Sequence, residues 1–216
     1  MADVLQINTP AWWLHRLAGQ LQMDTPRMVL LDRYYRGSHP LPYVPRKLKD
    51  EYRKMLARSR SNFMRIVVEA PAERLKVQGF RAAGGDSADT AAWDEWAANN
   101  LDVDANLGIV DALAMGRTYL SVWRFAGDDR ARIQIEDPRT TIVEFDPIRR
   151  HRRVAGLRMW TDDWTGKVRA DVWLEDACYQ FTADAVRASK TWPESWSAAY
   201  PIDDRDVAYT DLLLRE

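Results

Sequence analysis

The stretch Lys167-Val168-Arg169-Ala170-Asp171-Val172-Trp173-Leu174-Glu175 alternates along its whole length. Val168, Ala170, Val172 and Leu174 fall on one side of an extended chain, with Arg169, Asp171, Trp173 and Glu175 on the other. A period of two with one apolar face marks an antiparallel strand in a sheet covered on one side. Residues 154–160 read as its hairpin partner, across the turn Asp162-Asp163-Trp164-Thr165-Gly166. Working backwards, residues 140–145 form another strand, bounded by Asp137-Pro138 and Asp146-Pro147. Ile133 and Ile135 alternate with charges in a strand that the turn Gly127-Asp128-Asp129 joins to residues 118–125. Tyr179 and Phe181 predict one more strand.

Before Gly116 the period is helical. Thr9-Pro10 is a helix start, with Trp13, Leu14, Leu17 and Leu21 following at helical spacing. Thr25-Pro26 repeats the signal and predicts a second helix ending at Gly37, a left-handed cap. Three prolines in Ser38-His39-Pro40-Leu41-Pro42-Tyr43-Val44-Pro45 predict an extended connector. Leu48, Tyr52, Met55 and Leu56 stripe the next helix, opposite Lys49, Asp50 and Arg53. From Asn62 a further helix carries Phe63, Ile66, Val67 and Ala70, is kinked or restarted at Pro71, and runs through Leu75 into a short strand over residues 76–81. Residues 82–89, with Gly84-Gly85, form a loop. Trp93, Trp96 and Ala97 mark a short helix; Leu107, Val110, Leu113 and Ala114 mark another that ends at Gly116. Helices followed by strands define an α+β fold: a helical N-terminal half, then a mainly antiparallel sheet. The expected division is a helical segment over residues 1–60, an α+β domain over 61–190 and a C-terminal segment over 191–216. That last segment has Trp-Pro, Tyr-Pro and Asp-Asp turn signals and closes on Leu212-Leu213-Leu214. It reads as interrupted rather than finished.

Composition narrows the function. The chain has 216 residues, 46% hydrophobic, with 31 basic side chains against 32 acidic ones. That is too apolar for a disordered chain and long enough for a real core. A formal charge of -1 argues against a main task of gripping nucleic acid or an anionic membrane. A lone Cys178 allows neither an internal disulfide nor a Cys-rich zinc site. No apolar run approaches the roughly 20 residues of a membrane span, and the start Met1-Ala2-Asp3 lacks a secretory signal. A chain made and kept in a cytoplasm is the simplest expectation. Arg outnumbers Lys 25 to 6, and there are 10 Trp, residues that suit subunit contacts.

No motif for chemistry emerges. There is no phosphate-cradling Gly-x-x-x-x-Gly-Lys loop, no Gly-x-Ser-x-Gly elbow, and Gly84-Gly85 is followed by an acid. His15, His39 and His151 stand far apart in sequence, without a His partner one helical turn away. The pairs Asp102/Asp104, Asp128-Asp129, Asp162-Asp163 and Asp203-Asp204 could hold Mg2+ for a hydrolase, but each lies where Asp commonly bonds turn or helix-start amides. Cys178 reads as a buried small side chain. Tyr34-Tyr35 and Tyr43 could stack bases, yet beside a Pro-rich loop they more simply pack that loop down. Arg149-Arg150-His151-Arg152-Arg153 is the sharpest charge feature. Arg149, Arg150, Arg152 and Arg153 are candidates for phosphate or subunit contact, or a solvated turn, and a nucleic-acid-binding module is the alternative they support. No catalytic, cofactor or metal residue is assigned, and an enzyme is not expected.

The order of segments carries a further reading. Leu31-Asp32-Arg33-Tyr34-Tyr35-Arg36-Gly37-Ser38-His39-Pro40-Leu41-Pro42 resembles the Tyr-Tyr-x-Gly-x-x-Pro segment of tailed-bacteriophage portal proteins. The helix from Asn62 to Ala70 and the following Glu73-Arg74-Leu75-Lys76-Val77-Gln78-Gly79-Phe80-Arg81 resemble the family's next segment. Gly116-Arg117-Thr118-Tyr119, Asp137-Pro138 with Val143-Glu144-Phe145-Asp146-Pro147, and Ala155-Gly156-Leu157-Arg158 are similar to what comes after, in order. The resemblance covers most of residues 25–180 and implies a structural role. Family members form a ring, dodecameric in virions, at one capsid vertex, the conduit for DNA packaging and ejection. Implied partners are other portal subunits, terminase, scaffold and capsid proteins, a head–tail adaptor and the passing DNA, with no membrane. The implied location is the virion, and the host cytoplasm during assembly. This chain matches the outer, wing-like part of such a subunit, and the stem and clip would follow where it stops.

Overall fold

The computed structural model describes residues 6–40, 50–58, 61–85, 87–124, 127–184 and 197–201. Thr9 caps the first helix, α1 (Pro10–Tyr35), its hydroxyl accepting the Trp12 N–H at 3.3 Å. The expected second start at Thr25-Pro26 is not one: α1 runs through it unbroken. Pro26 removes the N–H that would reach the Gln22 carbonyl, and beside it the Thr25 hydroxyl donates to the Leu21 carbonyl at 2.6 Å. Leu21 before the proline and Met28 after it are both buried, so packing along the whole helix outweighs the local loss. Gly37, at φ +71, ends α1 as expected. The N–H groups of Ser38 and Gly37 reach the carbonyls of Arg33 and Tyr34 at 2.8 and 3.1 Å, the paired closure of a Schellman cap.

Helix α2 (Asp50–Arg58) precedes α3 (Phe63–Ala72), which Asn62 caps through the Arg65 N–H. Helix α3 stops at Ala72, short of the expected Leu75. Pro71 cannot supply an N–H to its last turn, and the chain leaves by turn bonds from Arg74 and Leu75 to Pro71 and Ala72. Residues 76–81 form no strand, because no neighbouring strand among the described residues pairs with them. Phe80 fixes this segment instead. Its carbonyl accepts the Asp89 N–H at 2.8 Å, and its ring lies 6.0 Å from Trp93 and 5.5 Å from Trp96. The two Trp belong to α4 (Thr90–Ala98), capped by Asp89. Helix α5 (Leu101–Met115) follows and closes at Gly116, φ +84.

Strands β1 (Tyr119–Trp123) and β2 (Arg132–Glu136) form a separate antiparallel hairpin. Gly108 lets α5 approach it: a Cβ there would stand 3.3 Å from the Ile135 side chain. The main sheet is an antiparallel meander of β3 (Thr141–Phe145), β4 (Arg153–Asp162), β5 (Lys167–Trp173), β6 (Cys178–Asp184) and β7 (Ser197–Pro201). The last strand arises in a stretch where the sequence shows only turn signals.

Register fixes what each face carries. Ile142, Leu157, Val172 and Tyr179 lie in one cross-strand row, with Met159, Ala170 and Phe181 in the next row of the same face. Helix α1 lies on this face. Its Leu14, Leu17 and Leu21 are at most 1% exposed against Leu157, Met159, Ala170 and Val172, all fully buried. Each such leucine contributes about 1.5–3 kcal/mol by leaving water. The architecture is α+β, helices first and antiparallel strands after, as the change of period at Gly116 predicts. The connector over residues 41–45, Leu48, Phe125, Asp203-Asp204 and Leu212-Leu213-Leu214 lie outside the described residues.

Candidate functional site

Three polar assemblies stand out. In the first, segments far apart in sequence converge on the C-terminal half of α1. Asp32 accepts from Arg36 at 2.9 Å and, across 107 positions, from Arg139 at 3.1 Å. Arg139 also forks onto Asp137, at 2.6 Å from Nη2 and 2.9 Å from Nε. Burial opposes the charge on Asp137, but the donors of Arg139 outweigh it and hold the carboxyl below its usual range. Asp111 on α5 sits nearby, its carboxyl raised by burial and then by the charge of Asp137. The Tyr35 hydroxyl donates to Glu69 of α3 at 3.3 Å, while Asn62 donates from its side-chain amide to the Tyr35 carbonyl at 2.9 Å. Arg117 reaches Asp24 at 2.8 Å. Most of the motifs singled out in sequence therefore bolt α1 to α3 and to the start of the sheet region. Tyr34 stacks on His39 with centroids 5.0 Å apart, packing the loop after α1. Tyr43 lies outside the described residues.

The second assembly is the β3–β4 turn with its cations. Asp146 organises it, accepting the backbone N–H groups of Ile148 and Arg149 at 2.8 and 3.0 Å, which pull its carboxyl below the ordinary range. Arg149, Arg150, His151, Arg152 and Arg153 are all exposed. Arg152 pairs with Glu175 at 2.8 Å, so part of the positive charge is neutralised at home. The turn brings the four arginines together on the surface.

The third assembly was hidden from sequence reading. Thr141, Arg158, Asp171 and Gln180 form a cross-strand row on the sheet face opposite α1. Asp171 is only 9% exposed, and burial pushes its carboxyl up to about 6 against the pull of Arg158 and the Gln180 hydrogen bond. Arg158 turns to Glu136 of β2, 3.1 Å away, and lies 4.6 Å over the Trp160 ring. Glu136 is 4% exposed and also takes the Ser121 hydroxyl. Burial raises its carboxyl, partly opposed by Ser121 and Arg158. The β1–β2 hairpin is thus tied to this face by the pair of buried Glu136 and half-buried Arg158. Alternation places Asp171 on that face, and only the tertiary packing reveals that the face is covered.

The remaining sequence candidates have structural placements. Cys178 is buried. Asp102 and Asp104 open α5, and Asp162 accepts the Trp164 and Thr165 N–H groups of its turn. Asp128 pairs with Arg132 at 3.4 Å. Among the described residues, no three His, Cys, Asp or Glu side chains are grouped to hold a metal ion, and no helix is long and apolar enough to cross a membrane.

The chain is similar to the portal protein of Mycobacterium phage D29, 38% identical over 92 residues, and to that of Mycobacterium phage L5, 36% identical over 92 residues. Each match covers 39% of this chain and 19% of the relative, so the aligned chain spans about a fifth of the curated relatives' length. The model of the phage portal protein family, SPP1 Gp6-like, matches residues 14–203, from the second turn of α1 to just past the last described strand. By that match over most of its length, the chain belongs to the SPP1 Gp6-like family of phage portal proteins.

Proposed function

We propose that this chain is the outer, wing-like portion of a portal subunit. It packs beside copies of itself in a ring at one capsid vertex, through which double-stranded DNA is packaged and ejected. The observation that supports it best is the family match over residues 14–203 together with the convergence of its motif residues on α1. Their side chains join elements of the fold and leave no nucleophile or base poised for reaction. On this reading the part is architectural and not enzymatic, and the force on DNA comes from a separate terminase. Scaffold or capsid protein and the head–tail adaptor are the other partners, and the virion is its destination. A near-zero net charge suits a conduit, since each phosphate neutralised would tighten and salt-sensitise the grip on a sliding duplex.

Sedimentation velocity from micromolar to millimolar chain tests it. Concentration-dependent association is expected, and a strict monomer throughout would overturn the ring reading. A second reading, a nucleic-acid module using Arg149, Arg150, Arg152 and Arg153, is favoured by the exposure of that turn. It requires duplex affinity that falls steeply with salt and disappears on Arg→Ala replacement. Flat, weak binding would eliminate it.

A further inference from the structure

The helical half carries an apolar face that its own chain leaves open. A groove of about 760 Å³ runs between residues 72–77 and α5. On its walls Leu75, Val77 and Val103 remain 51%, 42% and 71% exposed, and Leu107, one turn along α5, 59%. Isolated exposed apolar side chains are ordinary, but a contiguous set lining a groove marks an interaction site. Glu73, Lys76 and Asp102 all line the groove, and the chain that builds its far wall is acidic. Between Arg81 and Arg117 there are seven carboxylates and no Lys or Arg. Asp94 and Asp102 are exposed, and Asp102, in the groove wall, accepts the Trp96 indole N–H at 2.8 Å.

Helix α2 has the opposite character. Residues 46–60 hold seven cations and two carboxylates. Tyr52 and Met55, three positions apart on one helical face, are 41% and 55% exposed, and among the described residues α2 takes no part in the main packings between helices and sheet. The groove keeps its exposed walls with α2 present in the same chain, so α2 does not fill its own groove.

We propose that α2 of one copy docks in the α5 groove of the next copy. Tyr52 and Met55 enter the apolar walls, and Lys54 and Arg58 face Asp102 and Asp94. This rests on the ring reading above. It is a helix-in-groove contact in which charge sets partner and orientation. Donor helix and acceptor groove are different patches, so every copy gives one contact and takes one. Such heterologous contacts close into rings when the rotation permits.

Two variants that each add one cysteine test it, Met55→Cys and Val103→Cys, with the parent chain, whose Cys178 is buried, as control. Under mild oxidation, a mixture of the two should give a covalent heterodimer at a yield about tenfold above either variant alone. Lys54→Glu should lower that yield and Asp102→Lys in the partner should restore it. No heterodimer in the mixture overturns the proposal, and so does a bond that forms only within one chain carrying both cysteines. Sedimentation of the same mixture separates the two ideas. Association without the cross-link retires this interface alone, whereas a strict monomer retires the ring reading with it.

Discussion

Replacing Asp171 by Asn removes one ionisable group from the covered face of the sheet and changes its shape very little. In the folded chain this carboxyl is pushed up to about 6, against an ordinary value of 3.8, mainly by burial. The folded state therefore holds its proton more tightly than the unfolded chain does. Stability from this group is full below about pH 4, declines as pH rises through 6, and is lost above it. Two pH units at about 1.4 kcal/mol each put the cost of the buried charge near 3 kcal/mol at neutral pH. Asn cannot ionise and still offers a partner to Gln180. The stability difference between variant and parent should thus widen by about 2–3 kcal/mol in the variant's favour between pH 4 and pH 7.5. The raised Glu136 titrates in both chains and largely cancels in that difference. Urea unfolding at the two pH values is the assay. With a slope of about 2–3 kcal/mol per molar, the midpoint difference should grow by about 1 M. A difference that stays constant with pH, or shifts towards the parent at pH 7.5, would refute the claim that Asp171 is buried at a cost.

Three other perturbations probe the rest of the framework. Leu17→Ala, at a fully buried position between α1 and the sheet, should cost about 2–5 kcal/mol in urea or thermal unfolding. Arg139→Ala, which strips Asp137 and Asp32 of their shared donor, should destabilise by about 1–3 kcal/mol, and the loss should shrink as pH falls below the depressed range of Asp137. Replacing Arg149, Arg150 and Arg153 together by Ala should change unfolding free energy by no more than about 0.5 kcal/mol per site, because all three are exposed, on or at the edge of a turn that backbone bonds to Asp146 organise.

The legible parts of the sequence were those set by local physics. Alternation over residues 167–175 names a strand and its buried face, and Thr9, Asn62 and Gly37 announce helix ends through capping chemistry that needs no tertiary partner. Where the structure departs from expectation, a distant partner decides. Pro26 should start a helix, but Leu21 and Met28 pack both sides of it into the same core. Residues 76–81 have the composition of a strand, and no strand among the described residues pairs with them. Asp171 is assigned to a polar face by period alone, and its burial follows from the hairpin that Glu136 and Arg158 tie over it. The Arg149–Arg153 cluster was visible as charge, while the joint of Asp32, Arg139 and Asp137 was not, because its members lie 107 positions apart. Leu107 of α5 reads in sequence like any core position, and only its exposure in the fold, beside that of Val103, distinguishes a face left for a partner.

Cryo-electron microscopy of the chain at millimolar concentration addresses the architectural claim most directly, through the symmetry of what forms. Closed rings of like-oriented copies related by a single rotation axis are the predicted outcome. Monomers alone, or two-fold dimers joined through one shared patch, would contradict it.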